Sequence, residues 1–196
     1  MGDPTRTFYD ELAESYHLIF QDWTRSIQWH ASVLGPLIER EMRTGGLRIL
    51  DCACGIGTQT LGLAQRGHAL VGVDVSEAAI ARARREAHQR NLSIQFEVSD
   101  MRDLSSLPEA GFDLVLAADN ALPHLLNEQD LARAVQQIAG KLRPGGLFLA
   151  SIRDEELTVI LQQAGFVEVR WLMPADSGFY QPLVLARYRM AEQTTS

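Results

Sequence analysis

LRILDCACGIGT, residues 47–58, runs from a short β-rich strand into a turn with two glycines and then into a helical pattern. The strand LRILD (47–51) ends on an acid, and the alternation it begins continues along the chain. Further strands are predicted at HALVGVD (68–74), SIQFEV (93–98), FDLVLAA (112–118), GLFLASI (146–152), FVEVRWLM (166–173) and PLVLARYR (182–189). Helical spacing fills about 58–66, 77–90, 128–142 and 154–164, with Gly67 and Gly165 standing where a left-handed C-terminal residue is wanted. Nearly continuous apolar strands alternating with helices specify an α/β fold, a mainly parallel seven-stranded sheet with helices on both faces. Only the loop PADSGFYQ joins the last two strands, so that pair is expected to be antiparallel.

Ahead of this core, Leu12, Tyr16, Ile19, Phe20 and Trp23 recur at helical spacing, and so do Ile27, Ala31, Leu34, Ile38 and Met42. Residues 1–44 therefore read as two amphipathic helices forming an N-terminal lid, with Pro36 expected to kink or restart the second. Gly45-Gly46 marks the change to the core at 45–190, and a length of 196 residues suits a single domain. Hydrophobic residues at 46% and charged residues at 22% are globular values, which exclude disordered and collagen-like chains. A net charge of −7 argues against a dedicated binder of nucleic acid or anionic membrane. No apolar run approaches the ~18 residues of a membrane span, and the polar start MGDPTRTFYD is unlike a signal peptide, so a cytoplasmic protein is expected. Cys52 and Cys54 are the only cysteines, without the second pair that a disulfide framework or a zinc site would need, and no metal is expected. Arg82, Arg84, Arg85 and Arg90 read as a solvated helix face, and Trp23, Trp29 and Trp171 as packing residues.

Open α/β sheets bind ligands at the carboxyl ends of their strands, where glycines let the backbone approach a ligand closely. The turn Asp51-Cys52-Ala53-Cys54-Gly55-Ile56-Gly57 stands at such an end, although a tight structural turn would use the same glycines. Asp74 closes the second strand, where a carboxylate can accept hydrogen bonds from vicinal ribose hydroxyls. Ser76 can cap the following helix alone, leaving Asp74 free for that task. A dinucleotide fingerprint would want a third glycine where Thr60 stands, and Asp51 would repel a pyrophosphate. S-adenosylmethionine has no phosphate and carries a sulfonium and an ammonium, so an acidic neighbour such as Asp51 helps it.

With Asp-x-x-x-Gly-x-Gly, the acid closing strand two, Ser99-Asp100-Met101 after strand three and Leu142-Arg143-Pro144-Gly145-Gly146 before strand five, the chain resembles the class I S-adenosylmethionine-dependent methyltransferases over about residues 45–190. The resemblance implies a Rossmann-like sheet whose last strand is antiparallel, and S-adenosyl-L-methionine as cofactor. It implies that Asp100 holds the adenine through its carboxylate and Met101 by backbone and packing. The whole implied cofactor set is Tyr9, Tyr16, Asp51, Ala53, Gly55, Gly57, Asp74, Val75, Asp100, Met101 and Ala118.

A narrower resemblance is to the glycine- and sarcosine-type N-methyltransferases. It rests on the tyrosines of the leading segment, on Ala53-Cys54-Gly55, on Asn120 with His124, and on Arg153. It implies that Asn120 touches a substrate amine and that Arg153 grips a carboxylate through its planar fork. It also implies that Tyr9 and Tyr16 close over the cofactor, with Tyr180 facing the same pocket and His124 the nearest candidate base. That subfamily usually carries an antiparallel segment after strand five, whereas here Ser151-Ile152-Arg153-Asp154 runs directly into Glu155-Glu156-Leu157. A short form with another substrate and a missing segment both stay open. The function expected is methyl transfer to a small molecule, an amino-acid-like amine. The alternatives are a macromolecular acceptor or a non-catalytic S-adenosylmethionine-binding module.

Overall fold

The computed structural model describes residues 4–19, 21–107, 111–119, 121–125, 127–152 and 157–189. Its strands are β1 (Arg48–Asp51), β2 (Ala69–Asp74), β3 (Gln95–Val98), β4 (Phe112–Ala117), β5 (Leu142–Ser151), β6 (Phe166–Leu172) and β7 (Leu183–Tyr188). They form one sheet in the order β3-β2-β1-β4-β5-β7-β6, parallel except for β7, which runs antiparallel to both β5 and β6. The helices are α1 (Pro4–Leu12), α2 (Trp23–Met42), α3 (Thr58–Gln65), α4 (Glu77–Gln89), α5 (Glu128–Lys141), α6 (Leu157–Gln163) and α7 (Pro174–Ser177).

The apolar strand runs follow from burial on both faces. Along β5, Leu147 and Leu149 pack with Leu34, Leu37 and Ile38 of α2. The alternate residues Phe148 and Ala150 pack with Val135 and Ile138 of α5 and Leu161 of α6. Each of the leucine, isoleucine, valine and phenylalanine side chains, buried in full, contributes about 1.5–3 kcal/mol. The LRPGG motif has a local reason too. Phe112 pairs with Leu142 but Leu114 pairs with Leu147, so β5 bulges through Arg143-Pro144-Gly145. A Cβ on Gly146 would lie 2.8 Å from the Arg143 carbonyl oxygen, which leaves glycine as the residue that fits.

The leading segment departs from the two expected helices. A turn at residues 13–15 ends the first, a 3-10 turn covers Tyr16–Ile19, and Trp23 opens α2 with Asp22 as its cap. Trp23 is buried and donates from Nε1 to Thr58 Oγ1 at 2.9 Å, so it serves the α2–α3 contact. Pro36 does not restart α2, which is continuous to Met42. The expected solvated arginine face instead holds this segment down. Arg82 bonds the Ala13 carbonyl, Arg85 pairs with Glu14 at 2.5 Å, and Arg90 lies over the Trp23 ring. Asp10 accepts from Ser76 Oγ at 2.7 Å at the start of α4.

Two smaller differences complete the comparison. The PADSGFYQ loop contains the single helical turn α7, started by Pro174 and closed by Gly178 at φ 72. Between β6 and β7 the register shifts between Val167 and Arg170, with Glu168 at φ 53. Among the described residues no helix is long and apolar enough to cross a membrane.

Candidate active site

β1 lies between β2 and β4, so the chain's crossovers leave it in opposite directions and open a crevice at the strands' carboxyl ends. A cavity of about 510 Å³ occupies that crevice, a size typical of small-molecule sites. Its floor is the turn after β1. Cys52 N–H donates to Leu116 O and Cys54 N–H to Val73 O, both at 2.9 Å, which ties the turn to β4 and β2. Gly57, at φ 97, then opens α3 in a backbone conformation that favours glycine. Ala53 and Gly55 line the cavity, whereas Gly57 and Asp51 do not. Asp51 is buried beneath the floor and accepts from Thr60 Oγ1 at 2.6 Å. Burial pushes its carboxyl up to about 7, with Asp74 and Asp119 adding to the rise. The thiols of Cys52 and Cys54 are likewise pushed up by burial, so neither is an activated nucleophile. Among the described residues no cluster of His, Cys, Asp and Glu could hold a metal ion.

On the β2 side, Ser76 caps α4 as expected, accepting from Ala79 N–H at 3.0 Å. Asp74 is nonetheless not free. Its Oδ2 accepts from Gly55 N–H and its Oδ1 from Ser76 N–H, each at 2.9 Å. Each oxygen keeps a second lone pair. Burial outweighs these bonds and raises the Asp74 carboxyl above its ordinary range. Val75, Met101 and Ala118 supply apolar wall. Asp100 also lines the cavity, but its carboxylate is gripped by Arg102, from Nε at 3.0 Å and Nη2 at 2.6 Å. Arg102 reaches Asp130 as well, at 3.1 Å. Sequence reasoning had not singled out Arg102.

Tyr9 and Tyr16, from the leading segment, line the same cavity. The Tyr9 hydroxyl lies 2.8 Å from His124 Nε2, which brings the 3-10 turn Leu122–His124 against α1. Burial and the neighbouring Tyr9, Asp119 and Asp74 push the Tyr16 hydroxyl up to about 12.

On the β4 side stands Asp119, another residue not foreseen. It follows Ala118 with φ 59, lines the cavity and accepts hydrogen bonds from Gln59 Nε2 and the Tyr180 hydroxyl. Tyr180 itself is half exposed and lies outside the cavity wall, against Phe179 and Trp29. Trp29 is 37% exposed, less packed than expected. His30, 3% exposed, points Nε2 at Asp119 Oδ1 across 3.7 Å, too far for a hydrogen bond. Burial pushes the Asp119 carboxyl up, but His30, Tyr180 and Gln59 outweigh it and hold it below the ordinary carboxylate range. The rule that finds Asp74, an acid at a strand's carboxyl end, would also have found Asp119. Asn120 and Arg153 lie outside the described residues, as does the Arg153–Glu156 connection.

The sequence matches the methyltransferase-domain family over residues 49–146, half of the chain. It is 30% identical to a glycine/sarcosine N-methyltransferase of Parasynechococcus marenigrum, over 74% of this chain and 53% of that protein. It is also 30% identical to a ubiquinone biosynthesis O-methyltransferase of Bradyrhizobium diazoefficiens, over 68% of this chain and 53% of that one. The chain thus spans about half the length of these curated relatives. The fold is similar to that of a magnesium protoporphyrin IX methyltransferase from Synechocystis solved with bound S-adenosylmethionine, with a TM-score of 0.75 and 19% identity over 94% of this chain and 95% of that one. With the glycine turn, the acid closing β2 and the antiparallel β7 in place, the chain belongs to the class I S-adenosylmethionine-dependent methyltransferase family.

Proposed function

We propose that this chain binds S-adenosylmethionine beneath Tyr9 and Tyr16 and transfers its methyl group to a small, amino-acid-like amine. The observation that carries this reading is the charge of the cavity. Among the described residues, Asp74, Asp100, Asp119 and Asp130 line it with one arginine, Arg102, which is already bonded to Asp100 and Asp130. Such a wall suits a cationic cofactor, and its residues fit one. Asp74 has a lone pair on each oxygen for a ribose hydroxyl, and Val75 and Met101 offer apolar surface to a base. When bound, the cofactor supplies an activated methyl group on a cationic sulfur.

What remains for the protein is to exclude water and hold the nucleophile in line. Positioning can contribute up to ~7–11 kcal/mol. A general base typically gives ~10²–10⁴-fold, about 3–5 kcal/mol. Orienting groups therefore matter most. Tyr9 and Tyr16 cover the cavity, and the resemblance assigns Asn120 to the amine and Arg153 to a carboxylate. The amine substrate rests on the glycine/sarcosine N-methyltransferase likeness. Residues 1–44 act as the lid of a single domain in this reading.

Calorimetry with S-adenosylmethionine, followed by mass-spectrometric product assay on glycine, sarcosine and a catechol, tests the proposal. Cofactor binding with methylated amine is the expected result. Methylation of the catechol alone would replace the amine with an oxygen acceptor.

A further inference from the structure

Of the four carboxylates that line the cavity among the described residues, three are engaged along their own wall. Asp74 holds the N–H groups of Gly55 and Ser76, Asp100 holds Arg102, and Asp130 takes Arg102 and Asn127. Asp119 is held differently, by side chains converging from separate elements. Gln59 of α3 donates to Oδ2, and Tyr180, beyond α7, donates to Oδ1. One lone pair remains on each oxygen.

Behind Asp119 stands His30 of α2. Its Nδ1 lies 2.8 Å from the carbonyl oxygen of Ser26, and a carbonyl only accepts, so Nδ1 carries the proton. Its Nε2 is buried, without a hydrogen-bond partner and 3.7 Å from Asp119 Oδ1. Among the described residues, His30 lies against Ser26 on its own helix, the rings of Trp29, Phe179 and Tyr180, and Asp119. An ammonium acceptor entering the cavity meets in Asp119 a carboxylate with a lone pair to spare on each oxygen.

We propose that Asp119 is the acceptor-binding carboxylate and that it takes an N–H of an ammonium substrate. The inference rests on the methyltransferase reading and names the substrate class of that site. The substrate reacts after losing one proton to solvent, as the neutral amine with a free electron pair. That pair forms the N–C bond while the sulfur keeps the electrons of the broken S–C bond. The neighbours of Asp119 hold its carboxyl below the ordinary range, so it meets the cation as a carboxylate.

The test uses propylammonium as a probe that carries the cation and no carboxylate, with the protein loaded with S-adenosylhomocysteine. Calorimetry should give propylammonium binding to the wild type and at least a tenfold weaker binding to Asp119→Asn, with S-adenosylhomocysteine affinity within about threefold. Unchanged propylammonium affinity in the variant, or no binding to the wild type, would overturn the proposal. A tenfold loss of S-adenosylhomocysteine affinity would also overturn it, by giving Asp119 to the cofactor. Failure of the wild type to bind S-adenosylhomocysteine would sink the methyltransferase reading, while propylammonium on unloaded protein would still report on Asp119.

Discussion

Asp74 and Asp119 face one cavity from strands on either side of β1, and they are held in opposite ways. Asp74 is fixed by two backbone N–H groups, from the turn after β1 and the start of α4. Short of proline, no substitution at Gly55 or Ser76 removes those donors. Asp119 is fixed by Gln59, Tyr180 and the approach of His30, all side chains. A single mutation can retune it. The fold thus builds the β2 half of the site from main chain and leaves the β4 half to residue identity. In the proposed reading the β2 half serves the cofactor and the β4 half the acceptor, so the acceptor half is the one that residue identity can retune.

The largest expected effect lies beneath both halves, at Asp51. Its carboxyl releases a proton near pH 4 when unfolded and about 7 when folded, so between these values the folded state binds more protons. Stability should therefore fall as pH rises from about 4 to 7 and level off above, by at most about 4 kcal/mol. Asp51→Asn, which keeps an acceptor for Thr60, should flatten this slope in thermal unfolding measured across that range. A slope unchanged in the variant would mean that the floor shares no charge with the two halves.

Next comes Asp74→Ala. It removes the acceptor of two backbone donors as well as the proposed ribose contacts. Each charge-assisted bond is worth about 1.5–3 kcal/mol, so cofactor affinity should drop roughly tenfold to hundredfold per bond in calorimetry. The apolar strand residues are untouched, so circular dichroism should report the same fold with a lower midpoint. If affinity survives, the main-chain half is not the cofactor half. The smallest effect belongs to Tyr180→Phe, which deletes one donor on Asp119 at a half-exposed position. About 1 kcal/mol of stability or less should be lost, with cofactor affinity unchanged. A cofactor defect in this variant would blur the division between the halves.

The β2 half was legible in the sequence because its signals are local. Asp51, Gly55 and Gly57 sit in one turn, and Asp74 closes the next strand in a pattern that strand periodicity exposes. The β4 half is assembled from residues 30, 59, 119 and 180, which meet only once α2, α3 and the loop before β7 pack around the end of β4. Nothing in the spacing of His30 or Gln59 tells of that meeting, although Asp119 alone follows the strand-end rule. The leading segment misled for a related reason. Leu12, Tyr16 and Trp23 keep helical spacing, but the bonds of Arg82 to Ala13 and of Asp10 to Ser76 fold the chain against α4 instead. In the core, by contrast, the strand patterns required burial on both faces, and tertiary packing had no freedom to override them.

The irregular pairing of β6 with β7 also bears on how copies of this chain meet. β6 is the last strand of the sheet, and its outer rim would otherwise offer unpaired backbone donors and acceptors to a neighbour. Glu168, turned to φ 53, breaks the strand's straight course, and Arg170 places a charge beside it, paired with Glu41 at 2.5 Å. A flat partner strand finds neither a continuous ladder nor an apolar rim there. The kink acts as a guard against sheet-to-sheet aggregation.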